Sequence, residues 1–245
     1  DREFRQLVTL INQMLDRLES GFKQAVRFSA DAAHELKTPL TILQGELENA
    51  LQAAADGSAD QRTYKELLDE VQRLKSIIRK LLLLAQADSG QMVLSQEPVN
   101  LTQLIEAVGE DIRTLAPGLA VQSELQPDVQ VMADPDLLNQ VIQNLAGNAV
   151  KFCRGESPVV LSLKTEGGCA VFRISNRGET IPPEERGRVF ERFYRANKSR
   201  NRSIDGAGLG LSLAREIARA HGGTLELEES SAGQTVFCLT MPTSG

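Results

Sequence analysis

His34, its neighbour Glu35 and Thr38 one turn on bring an imidazole, a carboxylate and a hydroxyl to one side of a helical stretch. Apolar residues around them recur three or four apart, from Leu7, Ile11 and Met14 through Ala32, Leu36 and Leu40 to Leu47 and Leu51, which marks the buried face of a helix. His34 lies two positions from both Ala32 and Leu36. At about 100° per residue it therefore faces away from that stripe, towards solvent. A neutral imidazole is a nucleophile, and the adjoining carboxylate can take or orient its proton. Pro39 lies in the same helix, where proline costs about 3 kcal/mol, so the helix is loosened just beyond His34.

Two further clusters are suited to phosphate. Asn144, Asn148 and Lys151 fall in one sector of a helix, so two carboxamides and a cation converge, with Phe152 next in the chain. A carboxamide oxygen is a hard ligand fit for Mg²⁺, which keeps several waters and takes its remaining ligands from nucleotide phosphates. Gly206-Ala207-Gly208-Leu209-Gly210-Leu211 opens a later helix. Its glycines let backbone amides approach phosphate oxygens, and the helix N-terminus favours their charge. Between these clusters lie Ser175-Asn176-Arg177-Gly178-Glu179-Thr180-Ile181 at a strand end, then Phe190-Glu191-Arg192-Phe193-Tyr194-Arg195, then a polar and basic run, 196–205.

The elements that must position these groups divide the chain in two. Its 245 residues, 41% hydrophobic, suffice for a core, and the composition is that of a soluble globular protein. The spacing predicts one long helix ending near Ala55, a break over Ala55–Asp60, and a second helix from Gln61 with Tyr64, Leu67, Leu68, Val71, Leu74, Ile77, Ile78, Leu81 and Leu84 on its apolar face. Such a hairpin cannot enclose a core alone, so two chains are expected to pair as a four-helix bundle. Ser89-Gly90 stops the second helix, and Glu97-Pro98 separates it from a mixed α and β region. There the expected strands are Val99–Leu101, then Val121–Leu125 and Val129–Ala133 joined through Pro127. A hairpin of Val159–Thr165 with Ala170–Asn176 turns at Gly167-Gly168, and Leu225–Glu228 pairs with Thr235–Thr240. Helices are expected at Thr102–Thr114, Asp136–Phe152 and Gly210–His221, covering one face of a mostly antiparallel sheet.

Other classes are set aside by composition. A net charge of −6, with no basic stripe carrying aromatics, argues against nucleic acid as a partner. Cys153, Cys169 and Cys238 follow no metal or redox spacing and read as reduced thiols of a cytosolic protein. No apolar run reaches about 18 residues and no export signal precedes Asp1, so the chain is expected neither to span a membrane nor to be exported.

His34-Glu-Leu-Lys-Thr-Pro-Leu40 resembles the phosphoacceptor box of sensor histidine kinases, and the later motifs follow that family's order over nearly the whole chain. Asp1 to Leu15 resembles the second helix of a HAMP linker. The resemblance implies a HAMP end over 1–24, a dimerisation and histidine phosphotransfer domain over 25–92, and an ATP-binding catalytic domain over 93–245, an α/β sandwich of the Bergerat type shared with gyrase and Hsp90 ATPases. It implies that His34 is phosphorylated from ATP and passes the phosphoryl group to an aspartate of a response regulator, and that Thr38 positions water for dephosphorylating that regulator. Asn148 is then the Mg²⁺ ligand, Asn144 a supporting polar group and Lys151 a phosphate contact. Asn176, Gly178 and Ile181 border adenine, the polar run is a lid over ATP where Phe190 and Phe193 anchor the base and Lys198, Arg200 or Arg202 is expected to reach phosphate, and Gly206, Gly208, Leu209, Gly210 and Leu211 form the phosphate loop. The full-length protein is expected to be a homodimer anchored in the inner membrane upstream of Asp1.

The sequence departs from the family pattern at Phe152 for tyrosine, Asn176 for aspartate and Thr180 for glycine. Asn176 still carries an acceptor, and the Asn-x-Gly-x-x-Ile form is similar to that of heavy-metal sensor kinases. The departures leave open a nucleotide-binding dimeric scaffold without kinase activity, and the shared fold leaves open a plain ATPase.

Overall fold

The computed structural model describes residues 35–155, 157–195, 207–231 and 233–243. His34, Gly206, the proposed HAMP end over 1–24 and the basic run with Lys198, Arg200 and Arg202 lie outside them. The chain forms two compact units, Asp1–Met92 and Val93–Gly245.

The first unit is a helical hairpin. Helix α1, residues 35–53, runs unbroken through Pro39, whose missing N–H leaves the Glu35 carbonyl without its helical donor. Helix α2 is Ala59–Asp88 and begins two residues before the expected Gln61. The reason is a cap: Ser58 Oγ accepts from Gln61 N at 3.0 Å while Gln61 Oε1 accepts from Gly57 N at 2.8 Å. Leu47, Leu68 and Val71 form the shared core, with Leu40, Leu51 and Tyr64 packed against it. Lys75 Nζ donates to Gln44 Oε1 across the helices at 2.7 Å.

The second unit has a five-stranded sheet in the order β2-β4-β5-β7-β6, made of Val121–Leu125, Val159–Glu166, Cys169–Arg177, Gln234–Pro242 and Thr224–Ser231. All pairings are antiparallel except β2 with β4. Helices α3 (Leu101–Leu115), α4 (Pro135–Phe152) and α6 (Gly210–Ala220) bury their apolar stripes with the inward residues of the strands. Leu145 and Leu213 on the helices and Phe172 and Leu239 on the sheet are fully buried. A one-turn helix, α5 (Pro183–Arg186), precedes the 3-10 turn Arg188–Phe190.

The two strands expected on either side of Pro127 belong to different sheets. Val121–Leu125 and Gln130–Ala133 follow one another through Pro127 but do not pair. Strand β3 (Gln130–Ala133) instead joins β1 (Glu97–Asn100) in a separate two-stranded sheet. The Thr102 hydroxyl donates to Gln126 O at 2.8 Å and accepts from Val129 N at 3.1 Å, which turns the chain between the sheets. Pro98, read as a separator, lies inside β1, where a strand with one neighbour tolerates a missing N–H.

Candidate nucleotide site and phosphoacceptor helix

Helix α4 carries the polar cluster because its ends are firmly set. Asp134 caps it, with Oδ1 accepting from Leu137 N at 3.1 Å and Pro135 in the first turn. The Asp134 N–H donates to His221 Nε2 at 2.9 Å, and His221 Nδ1 lies 2.8 Å from Ile217 O. Those partners require a neutral ring with its proton on Nδ1. His221, the second histidine, is thus a buried tie between the end of α6 and the start of α4.

Leu138, Val141, Leu145 and Ala149 bury one side of α4, leaving Asn144, Asn148 and Lys151 half-buried along another. Gly210, the first residue of α6, packs on Asn144, where an added Cβ would stand 3.3 Å from Asn144 Oδ1. The Asn144 Nδ2 is buried and has no hydrogen-bond partner among the described residues. Beside it, the N-cap of α6 is Leu209, which supplies no capping side chain, so the first N–H donors of the helix are not taken up by a cap among the described residues. A buried amide donor and an uncapped helix start together favour an anion. Leu209 is buried to 1% exposure and Leu211 half-buried, which holds this start in place.

The other end of α4 meets the end of β5. An added Cβ on Gly178 would lie 2.1 Å from Phe152 O and 3.5 Å from Asn176 Nδ2, so only glycine lets these backbones approach. Asn176 is buried to 6%, whereas Phe152 is 50% exposed, with Lys151 Nζ 5.6 Å from its ring centre. From Asn144 to Phe152 is about 12 Å along the helix axis, at 1.5 Å per residue. The anion-favouring end and the carboxamide of Asn176 therefore flank one helix.

The departure at Thr180 has a structural role. Thr180 Oγ1 accepts from Gly233 N at 3.1 Å and Gly178 N donates to Gly233 O at 2.7 Å, so the segment after β5 is clamped to the β6–β7 turn. Ile181 N donates to Ser230 Oγ at 2.8 Å, and Ser230 Oγ lies 3.5 Å from Thr235 Oγ1. Arg186 donates to both Ile181 O and Ser230 O. Sequence reasoning missed Ser230, Thr235 and Arg186. A signal existed for Thr235, the polar exception on a strand face otherwise built of Phe237, Leu239 and Met241.

Phe190 packs edge-on against Phe237 with centroids 6.1 Å apart, and Arg215 Cζ lies 4.8 Å from the Phe190 ring centre. Phe193 is 60% exposed with φ 60°, and its N–H donates to Gly208 O at 2.9 Å. Gly208, at φ 70°, would place a Cβ 2.8 Å from Phe193 C and Tyr194 O. Both ends of the stretch containing 196–206 are thereby tied together. Desolvation, then a hydrogen bond to Glu185, pushes the Tyr194 phenol above its ordinary pKa.

In the first unit, Glu35 and Thr38 are exposed on α1. No hydrogen bond joins the Thr38 hydroxyl to another described residue, whereas Thr41 Oγ1 donates back to Lys37 O at 2.8 Å. Leu36, Leu67 and Leu74, assigned to the apolar stripes, and Leu43 remain 40–49% exposed in the single chain. No described helix is long and apolar enough to cross a membrane.

Comparison with known proteins follows the same division. Residues 24–90 match the His Kinase A (phospho-acceptor) domain, and residues 133–245 match the histidine kinase-, DNA gyrase B- and HSP90-like ATPase family. Over 99% of its length the chain is 34% identical to sensor protein CzcS of Cupriavidus metallidurans, covering 51% of that protein. It superposes on full-length ShkA, solved in complex with AMPPNP, with a TM-score of 0.75 at 26% identity, over 88% of this chain and 45% of that one. Against the mycobacterial sensor histidine kinase MprB the TM-score is 0.53 at 30% identity, over 60% of this chain and 97% of that one. The chain spans about half the length of the curated relatives it matches.

Proposed function

The chain belongs to the sensor histidine kinases, and from that premise we propose that it is the catalytic core which moves the γ-phosphoryl group of ATP to His34. The observation that carries the nucleotide side is the buried Asn144 Nδ2, without a partner among the described residues, beside the start of α6, which has no side-chain cap among them. These donors suit phosphate oxygens, and Asn176 and Phe152 at the far end of α4 suit the base.

The residues present fit a divalent cation carried in on the nucleotide: Asn148 would hold it through its carboxamide oxygen, and Lys151 would meet phosphate. Bound there, Mg²⁺ supplies charge neutralisation on the phosphates. The chain's own part is to hold ATP along α4 and to present a neutral imidazole. A His34 ring nitrogen attacks the γ-phosphorus, the bond to the ADP oxygen breaks, and the ring proton passes to Glu35. The phosphoryl group then moves from His34 to an aspartate of a response regulator.

Residues 25–92 are the proposed dimerisation and phosphotransfer domain and 93–245 the catalytic domain, with 1–24 the end of a HAMP linker below a membrane anchor. The exposed Leu36, Leu43, Leu67 and Leu74 support a homodimer, since two hairpins would cover them as a four-helix bundle. The missing helical donor at Glu35, caused by Pro39, supports a helix that bends beside His34 as a signal arrives.

Incubation with γ-labelled ATP tests the assignment. Acid-labile label on the protein, lost in His34→Gln while nucleotide still binds, is the expected result. Binding without label marks a signalling scaffold, free phosphate without label a plain ATPase, and undiminished label in His34→Gln removes the role of His34.

A further inference from the structure

The five-stranded sheet has two edges, and they differ. Strand β6 is irregular between Leu227 and Glu229, a bulge of the kind that discourages a further strand. Strand β2 pairs with β4 in regular register and contains neither proline nor lysine. Its main-chain groups alternate in direction. Val159 N donates to Ala120 O and Gln126 N to Leu163 O, each at 2.9 Å, so residues 120, 122, 124 and 126 face β4. Val121, Ser123 and Leu125 therefore turn their N–H and C=O groups outward, where no described strand lies. Arg113 Nη2 meets the first of these carbonyls, Val121 O, at 3.3 Å. The N–H and C=O groups of Ser123 and Leu125 have no strand partner.

Helix α3 makes this edge one side of a groove. It runs back along β2, pinned at one end by Thr102 Oγ1 donating to Gln126 O at 2.8 Å and at the other by Arg113. Between these ties Ser123, Leu125, Glu106, Ala107 and Glu110 border an open groove of about 590 Å³. The charge there is acidic, because Arg113 is the only cation lining it and already bonds Glu110 at 2.6 Å and Val121 O. Glu106 and Glu110 are four residues apart, about 6 Å along the helix at 1.5 Å per residue. Alternate side chains of a strand are about 6.6 Å apart at 3.3 Å per residue, which nearly matches that spacing. We propose that the β2 edge accepts an extended segment of a partner protein as a sixth strand, its main chain bonded to Ser123 and Leu125 and its lysine or arginine side chains, at every second position, facing Glu106 and Glu110. Glu124, exposed on the other face of β2, disfavours a second copy of this chain as the occupant, since β2 paired with β2 would bring the carboxylates of both copies together.

Titration of the whole chain with a short capped peptide of alternating lysine and threonine, and with its glutamate and threonine counterpart, tests this, with amide hydrogen exchange as a second readout. The lysine peptide should bind at least about tenfold more tightly than the glutamate one and slow exchange of the Ser123 and Leu125 N–H groups by about tenfold or more. Its affinity should fall about two- to fivefold in Glu106→Gln, as for an exposed ion pair. Ser123→Pro removes an outward N–H without touching the ladder to β4, and should weaken the lysine peptide by about tenfold. Circular dichroism reports whether each variant is folded. Equal affinity for the two peptides, no measurable binding of the lysine peptide, unchanged exchange at Ser123 and Leu125, or undiminished affinity in Glu106→Gln overturns the proposal. If Ser123→Pro does not fold, the exchange rates and Glu106→Gln decide. Self-association of the chain that disappears in Ser123→Pro would assign the edge to a second copy and overturn it as well.

Discussion

Arg215 stacks on Phe190, its guanidinium carbon 4.8 Å from the ring centre, and so ties the exposed side of α6 to the segment that leads into 196–206. Phe190 also packs edge-on against Phe237 at 6.1 Å. A partly exposed cation–π pair contributes about 0.5–1 kcal/mol. Arg215→Ala should therefore lower the stability of the second unit by about 1 kcal/mol, with Arg215→Lys recovering part of it. A double-mutant cycle with Phe190→Leu in urea unfolding checks the pairing, and a coupling energy near zero would show that the stack contributes nothing.

His221→Ala should cost more. The Asp134 N–H would lose its acceptor in a half-buried place, with a penalty of about 1–3 kcal/mol, at the N-cap of the helix that carries Asn144 and Asn148. Urea denaturation should show a loss of about 2 kcal/mol. A loss below about 0.5 kcal/mol would mean that water replaces the imidazole without penalty.

Gly178→Ala tests the approach of β5 to the end of α4. With Phe152 O only 2.1 Å from the new Cβ, one backbone must move. Backbone clashes of this kind belong among the more damaging substitutions, at about 2 kcal/mol or more. Nucleotide affinity should fall along with stability, since Asn176 and Phe152 share that junction. Unchanged stability and affinity would mean that the junction yields easily.

For Asn148, the expected outcome is a changed response to metal. Asn148→Ala should bind nucleotide at least about tenfold more weakly in Mg²⁺, and its affinity should differ little between Mg²⁺ and EDTA, because Lys151 cannot replace a divalent charge. Titration of both proteins under both conditions measures this. Equal affinity of wild type and variant in Mg²⁺ would remove Asn148 from the metal's ligands.

Thr38 carries a proposed second activity. Its exposure on α1 leaves it accessible to a partner. Thr38→Ala should leave labelling of His34 near normal yet slow the loss of phosphate from the cognate regulator severalfold. A parallel fall in both rates would assign Thr38 to holding the helix, and an unchanged dephosphorylation rate would exclude the hydroxyl from that step.

Features that depend on a few consecutive residues were legible in the chain alone. Gly167-Gly168 joins β4 to β5 as expected, Ser89 and Gly90 end α2, and the apolar spacing of α4 and α6 puts Leu145 and Leu213 in the core. Caps, turns and periodicity act over one or two helical turns, so their causes lie within the segments they shape. Only the tertiary structure decided which strand β2 joins, because the parallel pairing with β4 and the Thr102 bridge come from residues 24–38 positions apart. The role of Thr180 depends likewise on Gly233, and that of His221 on Asp134. A hydroxyl or imidazole has the same local preferences whatever its distant partner, so such polar ties leave little trace in the sequence around them. They arise when packing brings buried donors and acceptors together and leaving them unpaired would cost more than the pairing.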